Sequence, residues 1–181
     1  MKGKSFFGLI VSLAVLVASS LAVNAQARLT EQSKVSIYGI GSVRVGMTIN
    51  EVQRVAGVRL VQTPSGGEEY GCFYYEPSSS PSGVSFIVTN GRIARVDINN
   101  PRIATIRGVG IGDTENRIKS VYSRQIQVTP HTYMTGGHYL TFIPKDSADK
   151  NYRIVFETDN NRVIQYRAGR LPEVEYVEGC A

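Results

Sequence analysis

Apolar and polar residues alternate with two different periods along this chain. The phrase "VGMTINEV", residues 45–52, begins a stretch in which Ile49 and Val52 fall at helical spacing. Thr48 stands just before this stretch and Glu51 three residues after Thr48, which is the spacing of a capping box. The pattern therefore predicts a short amphipathic helix that begins after Thr48.

The same phrase recurs later in the chain as "IGDTENRI", residues 111–118. Thr114 aligns with Thr48, so it is the predicted N-cap of a second helix with one apolar stripe. Helices of about two to three turns are marginally stable alone and need a surface to pack on. A sheet following each helix would provide that surface.

Strand-like segments follow both predicted helices. "EYGCFYYEP", "GVSFIVT" and "RIARVDI" come after the first, and "HYLTFIP", "NYRIVFET" and "RVIQYRAG" come after the second. Asn90-Gly91 separates the last two strands of the first set, which is typical of a tight hairpin. Asn160-Asn161 occupies the matching position in the second set, and Asn tolerates the positive φ of such turns. Each half of the chain is thus predicted to contain one helix and three strands.

We therefore predict an α+β fold, in which two tandem helix-plus-three-strand repeats form an antiparallel sheet with the short helices packed on one face. The predicted divisions are a signal peptide at residues 1–25, an N-terminal segment at 26–39, repeat unit 1 at 40–104 and repeat unit 2 at 105–181.

The N-terminus has the layout of a secretory signal peptide. A basic "MKGK" precedes a long apolar run, and small residues allow cleavage after Ala25 or Ala27. The apolar run is close to the shortest length that spans a bilayer, so an uncleaved anchor is the alternative. We predict an exported protein, periplasmic or secreted, whose mature chain has no membrane span.

Removing the signal peptide removes Lys2 and Lys4 and leaves 18 basic and 15 acidic residues. The basic residues are scattered among acidic ones, whereas a nucleic-acid binder concentrates them in a patch. We therefore predict no nucleic-acid partner. The remaining chain of about 156 residues suits one domain or two small ones that share a core.

Two cysteines, Cys72 and Cys180, lie in the exported part of the chain. An even number of cysteines in an oxidising compartment favours a disulfide, which here would close most of the fold. Two unpaired thiols are the alternative.

Sequence motifs for catalysis and metal binding are missing from the chain. The sequence contains no G-x-S-x-G, H-E-x-x-H, EF-hand or Walker A pattern. His131 and His138 are its two histidines, and a zinc site needs three or four ligands. We predict no metal, cofactor or catalytic residue. Either histidine could serve as a general base only beside an activated nucleophile, which leaves a hydrolase as an alternative.

Tyrosines concentrate in two stretches, one around Cys72 and one around the two histidines. Exposed tyrosine is a good contact residue because it offers a rigid apolar ring and a hydroxyl group. Strand alternation directs Tyr70 and Tyr74 to one side of the sheet and Tyr75 to the other, so about half of these residues are predicted to be core. The candidate binding residues in these two stretches are Tyr70, Tyr74, Tyr75, His131, Tyr133, His138 and Tyr139.

Arg167 and Arg170 form a predicted basic tip close to three glutamates near the C-terminus. Both arginines are candidate binding residues. Surface ion pairing is the simpler role for them.

Four phrases carry a resemblance to known groups of proteins. Gly46-Met47-Thr48-x-x-Glu51-Val52 followed by three strands resembles the BamE (SmpA/OmlA) superfamily, and two tandem copies resemble β-lactamase inhibitor proteins. "GCFYYEP", "PHTYMTGGHYL" and "YRAGRLPEVEYVEGC" are similar to a broad group of uncharacterised secreted bacterial proteins.

The chain also departs from both named families. It lacks the lipid-modified cysteine of the envelope lipoproteins, and its two cysteines lie one in each half, whereas the inhibitors carry a disulfide within each repeat. The resemblance therefore implies a fold and not a specific activity.

These observations predict an exported, non-enzymatic binding module. Its partner would be a protein or an envelope component, and an inhibitor that fills an enzyme's cleft is one version of it. Binding would use the open sheet face and the loop at residues 130–138. The alternatives are a hydrolase that uses His131 or His138 and a structural domain of an envelope assembly.

Overall fold

The computed structural model describes residues 28–67, 69 and 71–180. The predicted signal peptide and Tyr70 lie outside these residues. The described part of the chain contains an eight-stranded sheet, a three-stranded sheet and two α-helices. In the same residues, no helix combines the length and the apolar character needed to cross a bilayer.

The three-stranded sheet and the first helix come first in the chain. They are β1 (Val35–Ser36), β2 (Gly39–Ile40), β3 (Val43–Arg44) and α1 (Ile49–Ala56). The next four strands are β4 (Leu60–Gly67), β5 (Cys72–Pro77), β6 (Val84–Thr89) and β7 (Arg92–Ile98). The second helix and the last four strands are α2 (Glu115–Tyr122), β8 (Ile126–Pro130), β9 (His138–Phe142), β10 (Tyr152–Asp159) and β11 (Arg162–Arg170).

The large sheet is antiparallel throughout and has the order β4-β5-β6-β7-β11-β10-β9-β8. The last strand of each half meets the other at the centre, where Tyr166 lies opposite Ile98 and Gly169 lies opposite Arg95. Strands β4 and β8 are therefore the two edges. Because β7 and β11 are adjacent, residues of both halves meet on each face of the sheet.

The predicted fold class was wrong. The described chain is mainly β, with an eight-stranded and a three-stranded sheet and only two helices of eight residues each, and it is not a pair of α+β helix-plus-three-strand repeats. Four strands of the large sheet, and not three, follow each helix. The missed strands β4 and β8 are the edges, and they contain Pro64 and Pro130. Proline cannot donate a hydrogen bond to a neighbouring strand and is tolerated at sheet edges. Both segments therefore resemble loops in the sequence.

Both helices begin at threonine caps. The Thr48 side chain accepts a hydrogen bond from the Glu51 amide, and the Glu51 carboxylate accepts one from the Thr48 amide at 2.8 Å. Gly57 then ends α1 with a φ of 61°, a left-handed conformation that glycine adopts without steric cost. Thr114 caps α2 by accepting from the Arg117 amide.

One hydrophobic core lies between the helices and one face of the large sheet. Val52 of α1 and Ile118 of α2 are buried in it together with Phe86 and Phe156 from the strands. The three-stranded sheet covers the same face and contributes Val35. We call this side of the large sheet the helix face.

The C-terminal segment, residues 171–180, crosses the opposite side of the sheet. We call this segment the strap and this side the strap face. A disulfide joins Cys72 of β5 to Cys180, with Cα atoms 5.3 Å apart, which confirms the predicted pairing. The strap is thus fixed covalently at its end to the edge half of the sheet.

We expect loss of the disulfide to lower the free energy of unfolding by about 2–4 kcal/mol, because a bridge across a long loop restricts the unfolded chain. The bridged cysteines are 108 residues apart. Urea unfolding of the double variant Cys72→Ser/Cys180→Ser measures the loss. Reduced wild type is the matched control and should unfold at the same urea concentration. Equal stability of the oxidised wild type and the double variant would contradict the expectation.

Candidate functional site

Strand alternation directs most of the apolar side chains to the helix face, so charged and polar side chains lie on the strap face beside two small apolar clusters. The strand register places Arg167 of β11 opposite Asp97 of β7, and Glu157 of β10 opposite Tyr139 of β9. These four residues come from four neighbouring strands and meet under the strap. A charge that is covered in this way needs a partner, because unpaired burial is costly.

Two arginines of the strap face hold the backbone of the strap. The Arg95 Nη1 atom donates to the carbonyl oxygens of Glu173 and Tyr176, at 2.9 and 2.7 Å. The Arg167 Nε atom donates to the carbonyl oxygen of Val174 at 2.7 Å. Only 3% of Arg95 and 4% of Arg167 is exposed, so these bonds are shielded from water. The arginines therefore fix the course of the strap.

Carboxylates on neighbouring strands balance the two buried guanidinium groups. Arg95 pairs with Asp97 at 2.8 Å, and Arg167 pairs with Glu157. Burial and the nearby charge of Arg95 lower the pKa of Arg167 to about 10, so its side chain is still charged at neutral pH. Glu157 also accepts a hydrogen bond from Gln165 Nε2 at 2.7 Å.

His131 is held on both ring nitrogens. Its Nδ1 atom accepts hydrogen bonds from the backbone amides of Tyr133 and Met134, at 3.1 and 3.2 Å. Its Nε2 atom lies 3.2 Å from the Glu157 carboxylate, which assigns the ring proton to Nε2. Burial and the charge of Arg167 lower the pKa of His131 below its ordinary 6.5, so the ring is neutral. Because its lone pair is used, His131 orders the loop at residues 130–138 and is not available as a general base.

His138 lies on the other side of the sheet, beside α2. Its Nδ1 atom is 2.7 Å from the carboxylate of Glu115, which also accepts from Thr158 Oγ1 and Lys119 Nζ. A histidine that a carboxylate orients in this way has the geometry of a general base. However, no hydrogen bond joins either histidine to a serine or cysteine anywhere in residues 28–67, 69 and 71–180.

The tyrosines divide between the two faces as strand alternation predicts. Tyr74 is half-buried on the strap face, and Tyr75 packs against the core on the helix face while its hydroxyl group donates to Gln62 at 2.9 Å. Tyr139 is buried, with its ring stacked on His131 at a centroid distance of 4.4 Å. Tyr133 is the exception, because 64% of it is exposed. The structure describes nothing of Tyr70.

The predicted basic tip at Arg167 and Arg170 was wrong for Arg167, which is buried under the strap. Its strand position directs it toward the strap face, where Glu157 compensates its charge. Arg170 is partly exposed and pairs with Glu173 at 3.2 Å, which is the simpler role that the sequence indicates.

The strap leaves two hollows open on its face, and Arg167 and Val177 line both of them. The first hollow, of about 370 Å³, lies against β5, β6, β7 and β11 and contains Tyr74, Glu76 and Asp97. We call it the central hollow. The second, of about 380 Å³, lies against β8, β9 and β10, and we call it the lateral hollow. Both have the size of small-ligand sites.

A third hollow adjoins the lateral one and shares Thr132 and Val177 with it. Tyr133 and Tyr176 line it, and both are exposed. We call it the tyrosine hollow.

Across the part of the chain that is described, no group of three or more His, Cys, Asp or Glu residues is arranged to hold a metal ion. The strap face is thus equipped for hydrogen bonding and aromatic contact.

Sequence reasoning missed the residues that organise the site, above all Arg95, Glu157 and Glu115. A usable signal was present, because each is a charged residue within an otherwise apolar strand or at the buried start of a helix. Charged residues at such positions are almost never buried without a partner. The partner itself could not be read from the sequence, since Arg95 bonds to a segment that follows it by about 80 residues.

No protein-family model matches the chain, and no curated protein does either. Among solved structures, it is similar to the uncharacterized protein yfeY from Escherichia coli, with 15% identity and a TM-score of 0.49 over 76% of this chain and 99% of that one. It is also similar to an extracellular protein containing a SCP domain from Bacillus anthracis str. Ames, with 9% identity and a TM-score of 0.46.

That second likeness covers 70% of this chain and 44% of the Bacillus anthracis protein, so the chain spans less than half of its length. Both TM-scores lie below 0.5, and neither likeness carries an argument about function. The resemblance to the BamE superfamily and to the inhibitor proteins stays a prediction.

We expect Glu157→Gln to lower the free energy of unfolding by about 3 kcal/mol, because it removes the carboxylate that pairs directly with the buried Arg167. Urea unfolding measures the change. Glu76→Gln is the matched control, since Glu76 is an exposed carboxylate of the central hollow, and it should change stability by no more than about 0.5 kcal/mol. Equal effects of the two substitutions would show that Glu157 does not compensate a buried charge.

The lowered pKa of His131 predicts a loss of stability in mild acid. The unfolded chain binds the proton more tightly than the folded one, so the contribution of His131 is complete above pH 6.5 and is lost as the pH falls through its folded pKa. Histidine proton resonances should show His131 titrating below pH 6.5. The variant His131→Gln should lose less stability than wild type between pH 7 and pH 5. A His131 pKa at or above 6.5 would contradict this account.

Proposed function

We propose that the protein is exported and acts by binding a protein or an envelope component through the strap face and the loop at residues 130–138. Export is supported by the disulfide between Cys72 and Cys180, because such bonds persist in oxidising compartments. The signal-peptide pattern of residues 1–25 supports it independently.

The geometry of Tyr133 carries the binding proposal. Tyr133 is 64% exposed, yet its hydroxyl group donates to the carboxylate of Glu178 in the strap. His131 fixes the backbone beneath it by accepting the amide hydrogen of Tyr133 itself. An exposed tyrosine that is already held in place loses little conformational entropy when a partner contacts it. Tyr133 therefore has the properties of a pre-organised contact residue.

The surroundings of Tyr133 support the same role. Tyr176 is exposed beside it in the tyrosine hollow, and the lateral hollow next to them contains hydroxyl and amide groups. Aromatic anchors next to groups that fix orientation by hydrogen bonds are typical of binding surfaces.

A hydrolase is the second candidate, and the pair of His138 and Glu115 favours it. The Nδ1 atom of His138 lies 2.7 Å from the Glu115 carboxylate, so Glu115 orients the ring without contacting its Nε2 atom. This pair lies on the helix face, away from the hollows under the strap. A general base also needs a substrate proton or a nucleophile to act on, and the hydrogen bonds of the described residues provide neither.

We expect Tyr133→Ala to reduce the retention of native envelope material on the immobilised protein by about tenfold or more, as removal of an interface hot spot does. Its melting temperature should fall only slightly, because Tyr133 is largely exposed and its hydrogen bond to Glu178 lies at the surface. The matched control is Ile106→Ala, which removes a residue that is 67% exposed but lines a hollow on the helix face. The control should retain the material fully.

Equal retention by Tyr133→Ala and wild type would contradict the proposal. A turnover activity in the same extract that His138→Ala abolishes and Tyr133→Ala preserves would favour the hydrolase instead. A structural envelope domain would instead show equal retention by all three variants.

A further inference from the structure

The lateral hollow is lined by several neutral hydrogen-bonding side chains. Gln127, Thr129, Thr132 and Thr141 line it. None of these four side chains has a hydrogen-bond partner among the residues that the structure describes. Hydroxyl and amide groups both donate and accept, so the hollow offers bonds of both directions at several points.

Tyr139 also lines this hollow, and its hydroxyl group is buried. Only 7% of Tyr139 is exposed, and its hydroxyl group has no hydrogen-bond partner in the described part of the chain. Its ring is packed by the ring of His131, at a centroid distance of 4.4 Å, and by the guanidinium group of Arg167, 5.7 Å from the ring centroid. Buried hydroxyl groups almost always have a partner, so an unpartnered one beside a hollow points to a ligand.

The charges of the lateral hollow indicate an uncharged ligand. Among the described residues that line it, the charged ones are Arg167 and Glu175. Arg167 is neutralised by Glu157, and Glu175 lies 3.8 Å from Arg153. The hollow has neither a free cation for an anionic ligand nor an unopposed carboxylate for a cationic one.

The adjoining tyrosine hollow extends this surface. Tyr133 and Tyr176 line it, and Thr132 belongs to both hollows. A ligand that continues from one hollow to the other would thus meet hydroxyl and amide groups first and apolar rings next. A ring with several hydroxyl groups on its edge and an apolar face matches both parts.

We propose that the lateral hollow binds an uncharged saccharide unit. The free threonine and glutamine side chains and the Tyr139 hydroxyl group bond the ligand's hydroxyl groups, and Tyr133 packs against the next sugar ring. This inference rests on the proposed function, since it names the chemical class of the envelope component that the strap face recognises.

Isothermal titration of the oxidised full chain with three neutral oligosaccharides, maltotetraose, cellotetraose and chitotetraose, tests the proposal. At least one should bind. Thr129→Val/Thr141→Val keeps the side-chain shape but removes two hydroxyl groups, and it should weaken binding by about tenfold. The matched control is Thr135→Val, which alters an exposed threonine of the same loop outside the hollow and should bind as wild type does.

Tyr139→Phe separates a ligand contact from a structural role. Its hydroxyl group has no partner among the described residues, so the variant should keep the melting temperature of wild type while losing saccharide affinity. A lower melting temperature with unchanged affinity would overturn the assignment. So would the absence of binding by all three oligosaccharides, or equal binding of a uronic-acid oligomer.

The retention experiment with envelope extract distinguishes failure of the saccharide assignment from failure of the proposed binding function. Periodate cleaves vicinal diols, which glucose units contain, so periodate treatment of the extract should abolish retention if maltotetraose or cellotetraose is the oligosaccharide that binds. Protease treatment should leave retention unchanged. Retention that survives periodate and is lost after protease overturns the saccharide while the binding function stands. An extract from which wild type retains nothing overturns the proposed function itself.

Discussion

Two buried guanidinium groups, those of Arg95 and Arg167, are the constraint on which the strap face depends. A buried charge is tolerated only when it is paired and hydrogen-bonded. Asp97 and Glu157 provide the pairing, and carbonyl oxygens of the strap complete the hydrogen bonds. The strap is therefore a required part of the fold and not a loose tail. The disulfide between Cys72 and Cys180 also attaches the end of the strap covalently to β5.

A series of hydrogen bonds connects Glu157 to Tyr133, the candidate contact residue. Glu157 holds His131, the ring of His131 holds the backbone amide of Tyr133, and Tyr133 in turn bonds Glu178 of the strap. These hydrogen bonds connect the sheet to the loop and the loop to the strap, and the disulfide at Cys180 connects the strap to the sheet. Hydrogen bonds within such a network strengthen one another. The exposed Tyr133 is thus held at its backbone amide and at its hydroxyl group although it lies on a loop.

Local features of the fold could be predicted from local sequence. Thr48 and Thr114 cap the two helices, and positive φ values at Asn90 and Asn160 form the turns of two hairpins. Strand alternation also assigned Tyr74 and Tyr75 to opposite faces. These features depend on a few neighbouring residues, whose propensities act over short distances.

Features that depend on distant segments could not be predicted. The edge strands β4 and β8 contain prolines and few apolar residues, and their pairing with β5 and β9 gives them their structure. Arg167 was expected at the surface because its own neighbourhood is polar, and the strap covers it only in three dimensions. The unpartnered hydroxyl group of Tyr139 can be recognised only once every surrounding side chain has been placed.

Hydrogen–deuterium exchange with bound envelope material tests the central claim most directly, because it maps the contact surface on the intact protein without substitutions. The account predicts slower exchange on binding in the amides of residues 129–141 and 173–178, which form the strap face and its loop. Residues 104–122 on the helix face should exchange at the same rate in the free and bound states. Slower exchange confined to residues 104–122, with residues 129–141 unchanged, would contradict the assignment of the strap face as the binding surface.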